Sequence, residues 1–370
     1  MNGQAVGGEL LGWRADELAH LGATRLGELY RSPAVLAAEE RLVLSRSWAL
    51  VADAADLEAP GDYVTATVGS APIVVLRDGD GALRAFHNLC RHRGLALLEG
   101  SGRVGRYLTC PYHQWSFARD GSLVNVPQQE EQFTGLDRTR WSLVPASVAE
   151  WHGMVFCHPS ADAPGLHEAM CGVDDRLDTF LSGPLVEVAR VGFAAACNWK
   201  LLIENHVDVY HLWYLHSRSL QAYAHARFAW EALGPNWWSH EPLKEPESAP
   251  ARFAWAEEEQ RTGIGAHLVF PNLMIVTTGS YFATYDAVPI APDRTSLTLR
   301  VRATPDADAG HLVGAIRSFM AEDVEVCEAL QRSTGSPAYG LGPLASSHEE
   351  PVRHFHAALR DALLAGVPGA

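Results

Sequence analysis

The stretch that decides the fold runs from residue 90 to residue 113 and reads CRHRGLALLEGSGRVGRYLTCPYH. It contains Cys90 and His92 and, after a gap of 17 residues, Cys110 and His113, so the pattern is C-x-H followed by C-x2-H. Pro111 and several glycines in this stretch predict sharp turns that bring two short loops together. Two thiolates and two imidazoles that meet in this way would bind metal.

This mixed set of side chains is the ligand set of a Rieske [2Fe-2S] centre, in which two histidines replace two cysteines on one iron. Imidazole ligands raise the reduction potential of the cluster to about −150 to +300 mV, so that it accepts electrons from a ferredoxin or a flavin. Zinc is the weaker alternative, because a zinc finger normally opens with C-x2-4-C and closes with H-x3-5-H. The sequence therefore predicts an electron-transfer centre.

The pattern of the chain changes near residue 157. Short alternating segments dominate before it, with hairpins predicted between 73–76 and 82–86 and between 115–118 and 122–126, and longer helical patterns follow. The predicted fold class is α+β. We expect an N-terminal helical segment at 1–40, helical around 26–40 and packed on the larger domain, an all-β domain at 41–158 that carries the cluster loops, and a larger α+β domain at 159–370.

Composition narrows the possible partners. The 370-residue chain has a formal net charge of −15, which argues against nucleic acid or an anionic membrane as a partner. It has no run of 18 apolar residues, and charged residues interrupt the amino terminus, so we expect no membrane span, no signal peptide and a cytoplasmic protein. No G-x-G-x-x-G follows a predicted strand, so electrons from NAD(P)H would have to come through a separate protein.

A second group of polar residues lies at 198–216, which we interpret as one helix. On a regular helix Glu204, Asp208 and His211 share a face, whereas His216 lies about 140° from His211. If both histidines bind one metal, the helix must therefore end or distort between them. Asn205 is predicted to face the substrate pocket, together with its neighbour His206; for both, a hydrogen bond to the backbone is the alternative.

A third group supplies an acid. Helical phase over 315–332 places Asp323 near the centre of an apolar stripe that consists of Ile316, Phe319, Met320, Cys327 and Leu330. A lone buried carboxylate needs a partner, and two histidines with one carboxylate form the facial triad of an O2-activating iron. The acids at 322, 325 and 328 point elsewhere and are predicted to be solvated surface charges.

Together these motifs resemble the catalytic α subunit of Rieske non-haem iron oxygenases, from about Trp48 to Phe355. The matching features are both cluster loops, the Asn-Trp-Lys at 198–200, the D-x2-H-x4-H run at 208–216 and the acids at 322–323. The resemblance implies a Rieske domain followed by a helix-grip-like catalytic domain with an antiparallel sheet. It also implies the ligands: Cys90 and Cys110 for one cluster iron, His92 and His113 for the other, and His211, His216 and Asp323 for a mononuclear Fe(II).

The resemblance further implies a homotrimer. In that arrangement Asp208 would connect an iron histidine of one subunit with a cluster histidine of its neighbour. The implied partners are O2, a small-molecule substrate, and a ferredoxin or flavin reductase that passes on electrons from NAD(P)H.

The reaction stays open at this stage. The tail from residue 331 to residue 355 resembles α-only oxygenases, which favours monooxygenation, either hydroxylation or oxidative demethylation. Cis-dihydroxylation of an aromatic ring is the second possibility. A Rieske electron carrier that is not an enzyme and a zinc hydrolase that uses the same triad are the alternatives from other classes.

Overall fold

The computed structural model describes residues 12–248, 253–340 and 342–365. They form two compact units. One spans Glu40–Ala169, and the other combines the described residues up to Glu39 with those from Met170 onward. No helix in these described ranges is both long enough and apolar enough to pass through a lipid bilayer.

The Glu40–Ala169 unit is built from β-strands. They are Ala49–Asp53 (β1), Asp62–Val68 (β2), Ala71–Arg77 (β3), Leu83–His87 (β4), Ser101–Arg103 (β5), Tyr107–Thr109 (β6), Ser116–Ala118 (β7), Leu123–Asn125 (β8), Pro145–Trp151 (β9) and Met154–His158 (β10). Seven of them form an antiparallel sheet in the order β1-β10-β9-β4-β3-β2-β5, and β6, β7 and β8 form a second sheet. The pairing of β3 with β4 and of β7 with β8 confirms both predicted hairpins.

The second unit is a seven-stranded antiparallel sheet with helices. Its strands are Val186–Ala195 (β11), Ala229–Leu233 (β12), Asn236–Pro242 (β13), Gly263–Val269 (β14), Leu273–Thr278 (β15), Tyr281–Ala291 (β16) and Arg294–Ala303 (β17). They are ordered β11-β17-β16-β15-β14-β13-β12, and every pair is antiparallel. The predicted α+β class, with a β domain before a catalytic domain that combines helices and an antiparallel sheet, is confirmed.

The helices complete the chain. They are Ala15–His20 (α1), Pro33–Leu42 (α2), Gln129–Gln132 (α3), Leu166–Met170 (α4), Val173–Leu181 (α5), Trp199–Val207 (α6), Glu258–Arg261 (α7), Ala309–Ser333 (α8) and Glu350–Leu364 (α9). The helix predicted around 26–40 is split into a 3₁₀ turn at Leu26–Tyr30 and α2, because a proline at position 33 disfavours helical geometry in the residue before it. Helix α6 packs against the sheet, α8 and α9.

Helix α8 differs from its predicted apolar stripe at one end. Ile316, Met320 and Cys327 are buried as expected, but Leu330 is 41% exposed. The neighbouring Gln331 is buried instead. Its side chain accepts the backbone N–H of Asn198, which caps α6, and donates to the carbonyl of the 3₁₀ turn at residue 30. A polar side chain takes the buried position here because two backbone groups require hydrogen-bond partners.

A buried ion pair links α2 to α6. Lys200 Nζ lies 2.7 Å from Glu39 Oε1, and both side chains are almost completely buried. Glu39 Oε2 also accepts a hydrogen bond from Trp199 Nε1 at 2.9 Å. Each charge is out of water, so each depends on the other for its compensation.

Replacing Lys200 with Met should destabilise the fold strongly. The substitution leaves the Glu39 carboxylate buried without its cation, which costs about 3–5 kcal/mol in comparable pairs. The matched control is Lys244→Met, since Lys244 is exposed and the change should stay within about 0.5 kcal/mol. Denaturant unfolding followed by circular dichroism measures both free energies. Equal midpoints for the two variants would show that the buried pair contributes nothing.

Candidate cluster and metal sites

The two cysteine loops share one backbone pattern. In each loop the cysteine N–H donates to the carbonyl five residues later at 2.8 Å, and the cysteine carbonyl accepts the N–H four residues later at 2.8 or 3.0 Å. The residue four places after each cysteine is left-handed, Gly94 with φ 74° and Gln114 with φ 58°. Identical turns therefore present Cys90 and Cys110, although the histidine follows two residues later in one loop and three residues later in the other.

The four predicted cluster ligands lie close together. The ring centroids of His92 and His113 are 4.6 Å apart, and His92 is stacked on Trp115 at 5.0 Å. Burial raises the pKa of the Cys90 thiol, and the adjacent Cys110 thiol raises it further. His92 Nδ1 is buried and has no hydrogen-bond partner among the described residues. Buried thiols beside an unpartnered imidazole nitrogen fit a cluster that binds all of them, since an unsatisfied buried nitrogen is otherwise costly.

The single helix predicted for 198–216 is wrong beyond Val207. Asp208, with φ −76° and ψ 123°, is extended, and its side chain accepts the N–H of Tyr210 at 2.6 Å. The N–H of Val209 donates to the carbonyl of His348 at 3.0 Å instead of continuing the helix. Hydrogen bonds to a side chain and to a distant loop thus replace the helical ones.

This break changes which side chains share a face. A 3₁₀ turn at Tyr210–Trp213 follows, so no regular helix joins His211 to His216, which is the distortion that a shared metal requires. Glu204 was predicted to lie beside Asp208 and His211, but it accepts hydrogen bonds from Tyr30 and His356 at 2.9 Å each. The helical phase that grouped these residues does not continue past Val207.

Asp323 lies between the two histidines, although they come from a different part of the chain. Its Oδ1 is 2.8 Å from His216 Nε2 and 3.5 Å from His211 Nε2. One ligand atom from each of these residues lies within 4.8 Å of the others. Burial lowers the pKa of His211, but Asp208 and Asp323 outweigh it and raise that pKa to about 9. The two imidazoles likewise hold the pKa of Asp323 below its usual value despite its burial. These pKa shifts show that the site favours positive charge. Two imidazoles and one carboxylate are also a ligand set that binds a divalent cation.

Each histidine has a second acid on its other nitrogen. Asp208 Oδ2 lies 3.2 Å from His211 Nδ1, although the ring N–H is not well aligned with it. His216 Nδ1 donates to Glu322 Oε2 at 2.7 Å. Such carboxylates fix the ring orientation and leave Nε2 free to bind metal.

Glu322 was predicted to be a solvated surface charge, and that prediction is wrong. Its carboxylate also accepts a hydrogen bond from Ser219 at 2.9 Å. Glu328, predicted to be solvated as well, accepts the N–H of Ala196 at 2.8 Å, whereas Glu325 is exposed as expected. The helical phase predicts only which side of α8 is apolar. It could not show that the segment with His216 and Ser219 packs against the side where Glu322 lies.

The triad lies in the wall of a cavity of about 110 Å³ that opens to solvent. Asn205 and His206 both line it, and His206 Nε2 also donates to the carbonyl of His267 at 3.0 Å. Burial lowers the pKa of His206 to about 4, so its ring is neutral near pH 7. Most other lining side chains are apolar, among them Trp237. An apolar cavity next to a metal site is typical of a small-molecule site.

Comparisons with known proteins agree with this geometry. Residues 47–146 match the family model of the Rieske [2Fe-2S] domain, and residues 182–365 match that of the ring hydroxylating alpha subunit catalytic domain. The chain belongs to the Rieske oxygenase alpha-subunit family. The resemblance stated from the motifs is thereby confirmed.

Curated relatives include both monooxygenases and dioxygenases. The chain is 35% identical over 208 residues to chlorobenzene dioxygenase subunit alpha of Cupriavidus sp. strain PS12, covering 54% of this chain and 46% of that protein. It spans about half the length of this and the other first-ranked relatives that it matches. The carnitine monooxygenase oxygenase subunit of Escherichia coli K12 is 27% identical over 336 residues, which cover 86% of this Rieske oxygenase alpha subunit and 88% of the relative.

Solved structures show the same fold. A quaternary ammonium Rieske monooxygenase in complex with an inhibitor matches with a TM-score of 0.79 at 24% identity, covering 91% of this chain and 94% of that one. Naphthalene 1,2-dioxygenase from Rhodococcus sp., bound to indole, matches with a TM-score of 0.76 at 20% identity, covering 92% and 94%.

Removing the Glu322 carboxylate should weaken iron binding. Glu322→Ala leaves His216 Nδ1 without its acceptor, and losses of this kind typically cost about 10- to 100-fold in metal affinity. Glu322→Gln keeps an acceptor oxygen and should retain most of the affinity. Anaerobic Fe(II) titration against a competing chelator measures the dissociation constants. Glu325→Ala, on an exposed position of the same helix, is the control; if it weakened iron binding as much as Glu322→Ala, the orienting role of Glu322 would be refuted.

Proposed function

We propose that this chain is the terminal oxygenase component of a multicomponent enzyme. It would use O2 and electrons from a separate reductase or ferredoxin to monooxygenate a small organic substrate at a mononuclear Fe(II). The observation that carries the proposal is the convergence of His211, His216 and Asp323 on one point in the wall of an apolar cavity. The Rieske domain in the same chain supplies the second part of the argument.

The residues that would hold each cofactor follow from the geometry and the family. Cys90 and Cys110 would bind one iron of the [2Fe-2S] cluster, and His92 and His113 the other. The triad would hold Fe(II), which when bound supplies open coordination positions at which O2 can be activated.

The protein would contribute positioning. Glu322 holds the Nδ1 proton of His216 and so directs Nε2 toward the metal position. The apolar side chains of the cavity exclude water and place a substrate beside the triad. His206 is fixed by the carbonyl that it contacts and stays neutral, so it can hydrogen-bond a substrate without adding charge. Asn205 would be a further polar contact there.

Monooxygenation is favoured over ring dihydroxylation by the extent of the match. The carnitine monooxygenase subunit aligns over 88% of its length, whereas the aligned part of chlorobenzene dioxygenase covers 46%. Dihydroxylation is retained as the second candidate because identity over the shorter match is higher, 35% against 27%.

We also propose that the subunits assemble as a homotrimer in which Asp208 connects His211 with the cluster domain of a neighbour. Two features of Asp208 support this role. Its side chain is only partly buried, and its carboxylate lies 3.2 Å from His211 Nδ1. A partly exposed acid at an iron ligand is available to a second subunit.

Product analysis tests the reaction. The purified protein is supplied with a generic reductase, NADH and a panel of aromatic and N-methyl compounds, and O2 uptake, formaldehyde and product mass are followed. We expect formaldehyde for demethylation or a gain of one oxygen for hydroxylation. A gain of two oxygens and two hydrogens would support dihydroxylation, and substrate turnover without reductant or O2 would indicate a zinc hydrolase.

Metal counting separates an oxygenase from an electron carrier. An oxygenase should hold about three irons per two acid-labile sulfides, and a carrier about two per two. His216→Ala should lower the count of the oxygenase by one iron and leave sulfide unchanged. Two irons in the reconstituted wild type would contradict the proposal.

Replacing Asp208 with Asn should separate metal binding from turnover. The amide keeps the size of the side chain but loses its charge, so iron and sulfide contents should stay at the wild-type level while turnover with reductase falls at least about 100-fold. Turnover close to the wild-type rate would contradict the role of Asp208 between subunits. Asp306→Asn, a change on a loop residue away from the cavity, is the control.

A further inference from the structure

One acid of the cavity has no role in the metal site. Glu241 lies on β13 and is 5% exposed, and it lines the cavity that contains the triad. One of its oxygens hydrogen-bonds His225 Nδ1, and that histidine is buried as well. The other oxygen has no hydrogen-bond partner among the described residues. A carboxylate oxygen without a protein partner in a mostly apolar cavity is available to a ligand that donates a hydrogen bond.

Strand geometry separates Glu241 from Trp237 along the cavity. Side chains alternate along β13, so Trp237, Ser239 and Glu241 all face the cavity, and four residues along a strand span about 13 Å. Tyr285 belongs to the same transverse row of the sheet as Trp237. At this row Trp237 contacts His206 of α6, and the two ring centroids are 5.9 Å apart. Glu241 lies two rows further along the cavity.

The middle of the cavity is open because the side chains in that row of the sheet are small. Ser239, Ala266 and Val276 are paired across β13, β14 and β15. All three line the cavity, and none has a side chain larger than valine. A substrate in the cavity can therefore extend past this row to the carboxylate of Glu241.

Glu241 is not required to hold the neighbouring loop in place. The N–H of Ala224 already donates to the carbonyl of Pro242 at 2.8 Å, and the N–H of Lys244 donates to that of Ala222 at 2.9 Å. These backbone bonds fasten residues 222–224 to the end of β13 on their own. The Glu241–His225 contact is therefore available for recognition.

The charge of the lining selects the ligand. Asp208, Glu241 and Asp323 all line the cavity, whereas its described lining includes no Lys and no Arg. A cation at the free oxygen of Glu241 would gain a charge-assisted hydrogen bond, whereas a carboxylate at the same place would be repelled by that of Glu241.

We propose that Glu241 anchors the substrate and that the substrate is an apolar molecule that carries an ammonium group with N–H donors and no carboxylate. This inference rests on the proposed function, because it names the substrate class of that same cavity. Carnitine carries a carboxylate, which the carboxylate of Glu241 would repel. Carnitine should accordingly bind poorly.

Binding of three matched compounds tests the proposal without turnover. The iron-loaded protein is titrated anaerobically by calorimetry with 4-phenylbutylamine, 4-phenylbutan-1-ol and 4-phenylbutyrate, which share an aryl chain and differ in charge. The amine should bind about tenfold more tightly than the alcohol, and the acid should bind most weakly. Equal affinity for amine and alcohol, or tightest binding of the acid, would overturn the inference.

Variants assign the preference to Glu241. Glu241→Gln should weaken binding of the amine about tenfold or more and change binding of the alcohol less than about twofold. The matched control is Glu259→Gln. Glu259 lies 3.3 Å from His240, whose side chain is on the opposite face of β13 from Glu241. This substitution should leave the affinities for the amine and the alcohol unchanged. Equal losses for amine and alcohol in Glu241→Gln would assign the residue to structure and refute anchoring.

Failure of the anchoring inference can be distinguished from failure of the oxygenase proposal. If the amine binds through Glu241 but no compound of the panel is oxidised with reductase and O2, the oxygenase proposal fails and the anchoring inference stands. If the protein oxidises neutral compounds and ignores the amine, the reverse holds. The wild-type ranking of the three compounds needs no variant and remains decisive even if Glu241→Gln does not fold.

Discussion

The candidate metal site of the larger unit depends on one partly buried carboxylate, that of Asp323, placed between two imidazoles. Taking an acid out of water is costly, and His211 and His216 compensate for it from a segment more than 100 residues earlier in the chain. The same arrangement explains why helix α6 stops where it does. Only a chain that leaves helical geometry at Asp208 can bring both rings to the same carboxylate.

In the β domain, the same turn occurs twice and supports the two cysteines. Each cysteine lies at the start of a turn that is closed by the same two backbone hydrogen bonds, so two sequences with different spacings give equivalent supports. The left-handed residue in the turn is a glycine in one loop and Gln114 in the other, where it costs about 1 kcal/mol. That cost is consistent with a loop whose shape is set by what it holds.

Side chains alternate between the two faces of β13, and this alternation places two Glu–His pairs in different surroundings. Neighbouring residues of β13 point to opposite faces, so Glu241 lies inside the cavity while His240 lies on the other side of the sheet with Glu259. Two Glu–His pairs of similar composition thus have different surroundings, one inside a mostly apolar cavity and the other exposed to water. Charge in the first pair is less screened by water than charge in the second, and the proposed ligand preference follows from that difference.

Local patterns in the sequence determined the cluster loops, both hairpins, the α+β class and the candidate triad, because short turns, strand alternation and ligand spacing are properties of neighbouring residues. Tertiary structure decided the rest. The end of α6 at Val207, the partner of Glu204 and the contact between Glu322 and His216 all depend on groups that are distant in sequence. The helical phase gives the direction of a side chain only while the helix continues, and it does not show which segment of the chain packs there. For that reason Glu322 and Glu241 became visible as site residues only when the folded chain placed a histidine beside each of them.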